Sequence, residues 1–104
     1  MLDRMNMIKV TLKKSSPDEK LGLSIYGVVI QTISEQNNSA IFVKSVIPGS
    51  LCDISGKVHV DDLLVEINGI PLIGLPVSKV YEIIQNSKTT IEFVLGRERK
   101  ESGD

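Results

Sequence analysis

Tryptophan is absent from this sequence, and aromatic residues of any kind are few: Tyr26, Phe42, Tyr81 and Phe93. The core therefore falls to Ile, Val and Leu, whose branched side chains favour strands. Cysteine occurs once, as Cys52, which excludes an internal disulfide framework and suits a reducing compartment. No stretch approaches the roughly 18 apolar residues of a membrane-crossing helix. Met1–Met7 has no apolar run long enough for a signal peptide. An excess of either charge is also lacking. Twelve Lys+Arg against 13 Asp+Glu leave a net charge of −1, so no broad basic surface exists to track nucleic acid. What is present is 104 residues, 41% hydrophobic and 24% charged, enough for one small globular domain with one core.

Alternation marks the strands. Met7–Lys13 places Ile8, Val10 and Leu12 on one face and Lys9, Thr11 and Lys13 on the other. This is a half-buried edge strand whose lysines discourage edge-to-edge pairing. Residues 1–6 read as a disordered leader or as residues added for expression. Ser15-Ser16-Pro17-Asp18 is a turn. A second strand runs from Leu23 to about Tyr26. Gly27 interrupts before Val28–Ile33, which either extends the strand or forms an excursion of its own. Ser34–Ser39 reads as the clearest loop and Ala40–Ile47 as a third strand. Ser50 is placed to cap one helical turn, Leu51–Ile54. Leu64–Ile67 is a fourth strand closed by the tight-turn pair Asn68-Gly69. Ile70–Ile73, limited by Pro71, supplies a short fifth. In the helix Val77–Gln85, Val77, Val80, Tyr81 and Ile84 recur at helical spacing, and Ile83 widens the apolar face. Thr89–Leu95 turns Ile91, Phe93 and Leu95 to one side, and a charged tail follows. The expected architecture is mainly β: a small, partly open antiparallel barrel or sandwich of five to six strands, capped by one short and one longer helix.

The chain is organised around Lys20-Leu21-Gly22-Leu23-Ser24-Ile25. Glycine lets backbone turn sharply or approach a ligand closely, and consecutive amides in such a turn can converge on an anion. Leu23 and Ile25 then share one side of the following strand. An anion site opening onto an apolar groove results. Catalytic and metal readings find less support. His59 with Asp61 and Asp62 is not a closed ligand set, and no cofactor is expected. Cys52 lies among apolar residues and reads as structural. Ser24 has no nucleophile-elbow context. Gly49–Lys57 lacks the spacing and the hydroxyl residue of a phosphate loop. Asn37-Asn38-Ser39 has the form of a glycosylation sequon, relevant only to a secreted chain.

Four signals follow one another: Leu21-Gly22-Leu23-Ser24-Ile25, Val46–Leu51, Gly56–Gly69 and Gly74–Ile84. In this order the chain resembles a PDZ domain, from about Met7 to Arg97, with residues 98–104 as a charged flexible tail. The leading strand comes first, as in animal scaffold-type members with non-permuted strand order. Departures from the family pattern are Lys20 for the first loop glycine, Leu23 for phenylalanine, and Asp61 for a glycine. Asp61 is costly if its φ must be positive, though aspartate tolerates that better than most residues.

The resemblance implies a non-catalytic module that binds the C-terminal peptide of partner proteins by strand addition. The terminal carboxylate would rest on the N–H groups of Leu21, Gly22 and Leu23. The groove would be formed by Lys20, Ser24, Ile25, Tyr26, Val77, Lys79, Val80, Tyr81 and Ile84. Leu21, Leu23, Ile25 and Ile84 would receive the last ligand side chain. Lys20, Lys13 or Lys14 could add attraction for the carboxylate. Val77 stands where many members carry a histidine that bonds a ligand Ser or Thr. Valine therefore favours an apolar ligand residue two before the terminus, the class II pattern. Tyr81 narrows the pocket and offers one polar contact, which leaves room for a hydroxyl-bearing or acidic ligand residue. Ser24 and Lys79 flank the groove. Expected partners are C-terminal tails of membrane receptors, channels or adhesion proteins. Neither nucleic acid nor direct membrane insertion is expected, and the chain is read as a monomer or weak dimer. Its location would be cytoplasmic, at the inner face of the plasma membrane or at cell junctions through those partners. Three alternatives stay open: a substrate-reading domain of a protease, a binder of internal motifs, or a binder of anionic lipid headgroups through Lys9, Lys13, Lys14 and Lys20.

Overall fold

The strands form where the alternation is cleanest, and several run further than it suggests. The computed structural model describes residues 5–31 and 37–98. Strand β1 (Met5–Lys13) buries Val10 and Leu12 and leaves Lys9, Thr11 and Lys13 outside. It begins two residues before the expected start, because Met5 and Asn6 pair with Glu98 and Arg97 of β6 (Thr90–Glu98). Of the expected leader and tail, residues 1–4 and 99–104 lie outside the described residues.

Strand β2 (Leu23–Gln31) does not stop at Gly27. It pairs along its length with β3 (Asn37–Val46), so the second half of the expected Ser34–Ser39 loop belongs to a strand. Residues 32–36 lie outside the described residues. Gly27 is compatible with a continuous strand because another element needs the space a side chain would fill. A methyl group placed on it would lie 3.2 Å from Val77 Cγ2.

The remaining elements are α1 (Leu51–Ser55), β4 (Leu63–Ile67), β5 (Ile70–Pro71) and α2 (Val77–Asn86). Ser50 caps α1, its Oγ accepting from Asp53 N at 3.3 Å. Gly56 ends the helix in the left-handed region at φ 69°. Between β4 and β5, Asn68 and Gly69 both have positive φ, 50° and 82°. That is the requirement of a two-residue hairpin turn whose twist matches its strands.

All strand pairs are antiparallel. They make one sheet in the order β1-β6-β4-β3-β2, with β5 on β4. The sheet is not closed into a barrel, so β1 and β2 are its edges. Phe93, Ile41, Ile67, Leu72 and Val80 lie at the centre of the core.

One ionic contact closes the far side of the sheet. Asp62 is buried, and Arg97 grips its carboxylate with Nε at 2.8 Å and Nη2 at 2.7 Å. The His59 backbone N–H adds a third bond at 2.8 Å. Hydrogen bonding to the Asp62 carboxylate raises the Arg97 guanidinium above its ordinary range, against the opposing effect of burial. Strand β6 is thereby tied to the turn before β4. Asp61, its neighbour, adopts φ 71°, the positive value that a glycine would take more easily.

Candidate functional site

Leu21 and Gly22 make the turn into β2, and their carbonyls are anchored inward. Leu21 O accepts from Cys52 N of α1 at 3.0 Å, and Gly22 O accepts from Ile47 N at 2.7 Å. A trans peptide plane points its N–H opposite to its C=O. The N–H groups of Gly22 and Leu23 therefore aim away from α1 and β3. Among the described residues, neither the Leu21 nor the Gly22 amide donates a hydrogen bond. Gly22 has φ 82°, the left-handed value found in anion-binding backbone nests. It also tolerates no side chain. A Cβ there would stand 2.0 Å from Ser50 Cβ and 2.3 Å from Ser50 Oγ. Sequence reasoning alone expects a β-branched residue at Gly22 to harm binding far more than folding. The contact with Ser50 makes both suffer.

These amides open into a cleft of about 570 Å³ between β2 and α2, whose walls include Leu21, Leu23, Ile47, Tyr81, Ile84 and Gln85. The stretch Lys14–Lys20 supplies much of the outer rim. Ile47, 58% exposed, and Gln85 were not among the residues expected here. An apolar residue directly before Pro48-Gly49, beyond the last core position of β3, is the signal that could have found Ile47. Lys14 lines the rim, but its ammonium is committed to carbonyls, donating to Ser87 O at 3.1 Å and Pro17 O at 3.2 Å. Lys20 is exposed beside the loop.

Further along β2 the two walls meet. Tyr81 Oη accepts a hydrogen bond from the Ile25 backbone N–H at 2.9 Å. Val77, the first residue of α2, packs over Gly27. The register slips between Ser24 and Ile25 because β3 carries Lys44 as an extra residue. The alternation of β2 itself is therefore unbroken, and Leu23 and Ile25 direct their amides to the same free edge.

The side chains of several other residues expected in the groove have partners of their own. Val80 is wholly buried under α2. Tyr26 stacks on Phe42 with ring centroids 5.5 Å apart, and its hydroxyl donates to Asp61 Oδ1 at 3.2 Å. Loss of water and the Asp61 carboxylate both push its phenol pKa up. Ser24 bonds Ser45. Lys79 pairs with Glu82 at 3.2 Å on the exposed side of α2. Ile25 is buried, contributing its backbone to the edge and its side chain to the core.

A helix facing the free edge of a sheet, with unpaired amides at one end, is a site for extended chain. The sequence model of one family, described as the PDZ domain, matches residues 9–95. The chain belongs to the PDZ domain family. It is 36% identical over 98 residues to neurabin-2 of mouse (Mus musculus) and of human (Homo sapiens), covering 94% of this chain. It is 34% identical over 96 residues to the Patj homolog of Drosophila melanogaster, covering 92% of this chain. It spans only 12% of neurabin-2 and 10% of the Patj homolog. Among solved structures, the solution structure of the PDZ domain of human KIAA0340 protein superposes with a TM-score of 0.74 at 29% identity, covering 97% of this chain and 87% of that one. The N-terminal PDZ domain of InaD, in complex with a NorpA C-terminal peptide, also gives 0.74, at 22% identity, covering 88% of this chain and 97% of that one. The strand order here is the non-permuted one, with β1 leading the chain. PDZ domains are non-catalytic protein-interaction modules. Among the described residues no group of His, Cys, Asp or Glu side chains could hold a metal ion, and no helix is long and apolar enough to cross a membrane.

Proposed function

We propose that this PDZ domain binds the free C-terminal tail of partner proteins as an added antiparallel strand on β2. The observation that carries this reading is the pair of inward-anchored carbonyls, Leu21 and Gly22, which leaves amides aimed into an open cleft. Neutral donors suffice for a carboxylate in such a nest, so a chain of net charge −1 can serve. The InaD domain, which shares the fold, is bound to a C-terminal peptide in its own structure. The last ligand side chain, Val, Ile or Leu, would lie among Leu23, Ile47 and Ile84. Two residues earlier the ligand would meet Val77 and Tyr81. Val77 offers no acceptor or donor. A ligand Ser or Thr there would be poorly satisfied, so the domain prefers an apolar residue at that position. Tails of membrane receptors, channels or adhesion proteins are the partners this reading favours, met at the cytoplasmic face.

A randomised C-terminal peptide screen, repeated with the hits amidated at the terminus, tests the proposal. Binding that disappears on amidation, with apolar residues enriched two before the end, is the expected result. Hits indifferent to amidation would overturn the carboxylate cradle. Dominant Ser or Thr two before the end would overturn the class II preference alone.

A further inference from the structure

We propose that Tyr81 is a gate on strand addition: its hydroxyl occupies the ladder donor that an incoming strand needs, and a ligand must displace it. The proposal rests on the strand-addition reading above. An antiparallel strand added to β2 would use outward groups on alternate residues, first at Leu23 and next at Ile25. With a terminal carboxylate at the loop, the carbonyl of the residue two before the terminus falls opposite the Ile25 N–H. That N–H is already donated to Tyr81 Oη at 2.9 Å. The tyrosine oxygen therefore occupies the place of the ligand's carbonyl. Tyr81 is itself 37% exposed, so the ring has water to swing into when displaced.

The gate separates two stages of recognition. A chain terminus can enter the open end at Leu21–Leu23 with the gate closed. The next rung forms only when Tyr81 leaves. Weakly held termini stay at the first stage, and ligands that supply both a backbone acceptor and side-chain contacts proceed to the second. Because the free domain keeps its own hydrogen bond, the net gain from the Ile25 rung is reduced for every ligand.

Tyr81→Phe keeps the ring and removes the acceptor. Amide exchange at Ile25 is read first, in the free protein without peptide. It is expected to be slow in the original domain and faster in Tyr81→Phe, with other β2 amides unchanged. Affinity for a five-residue screen hit is then compared, and Tyr81→Phe is expected to bind roughly three- to tenfold tighter, the scale of one net hydrogen bond. Equal Ile25 exchange in the two proteins overturns the gate, whatever the peptide does. Weaker binding by Tyr81→Phe also overturns it, since the hydroxyl would then be a ligand contact. If neither protein binds a free terminus, the strand-addition reading fails and the gate's role with it. The peptide-free exchange measurement tells that failure apart from absence of the latch.

Discussion

The two ends of the β2–α2 cleft are built differently. At the Leu21–Leu23 end, carbonyls are tied to Cys52 and Ile47, and among the described residues the Leu21 and Gly22 amides donate no hydrogen bond. Toward the start of α2, the walls touch through Tyr81 on Ile25 and Val77 over Gly27. The first end is rigid and prepared, because its backbone is fixed by bonds pointing the other way. The second is closed by contacts that side chains make and can release. On the proposed reading, anchoring a chain end and reading its preceding residues would be separate structural tasks on one strand.

The prepared end is expected to break most severely. Gly22→Ala forces a Cβ to within 2.0 Å of Ser50 Cβ at a φ of 82°. Strain and overlap together should cost about 2–5 kcal/mol, measured by chemical denaturation, and peptide binding should vanish. Adding Ser50→Gly removes the overlap and should recover part of the stability but little of the binding, since the strained φ remains.

The same end has a pH limit. Cys52 is fully buried, and burial pushes its thiol from the ordinary 9.0 up to about 11. The folded state favours the neutral thiol, so this contribution is fully present below pH 9 and is lost as pH rises towards 11. Relative to Cys52→Ala, the domain should lose on the order of 2 kcal/mol across that window. Paired urea titrations at several pH values measure this, and parallel curves for the two proteins would refute it.

At the closed end, Val77→His should leave the fold intact and move preference toward Ser or Thr two residues before the terminus. The expected change is roughly three- to tenfold in relative affinity, read from paired peptides differing at that position. The smallest effect is expected outside both ends. Asp61→Gly relieves φ 71° but removes the exposed bond to Tyr26. It should raise stability by about 0.5 kcal/mol and leave peptide affinity unchanged. A binding change there would mean that the outer face of β2 communicates with the cleft.

The fold was legible because its signals are local. Alternation at Ile8-Val10-Leu12 and Ile91-Phe93-Leu95, the Asn68-Gly69 turn, the Ser50 cap and the helical spacing of Val77–Ile84 each act within a few residues. Strand ends were less legible. Met5 and Asn6 are held by Arg97 and Glu98, and β2 continues past Gly27 because β3 offers partners as far as Asn37. Those pairings come from distant parts of the chain. Val80 shows the same limit in the site: its helical spacing cannot say that α2 turns it wholly into the core while Tyr81, the next residue, faces the cleft.

By itself, the amino-acid order determined which stretches could be strand, turn or helix, and that a glycine-containing loop precedes a half-apolar strand. Those properties depend on backbone freedom and on periodicity between near neighbours. Tertiary structure alone decided that the loop's carbonyls face inward, that Ser50 forbids a side chain on Gly22, and that Tyr81 occupies the Ile25 amide. Each of these depends on atoms 25 or more residues apart in sequence meeting within a few ångströms, and no local pattern encodes that distance.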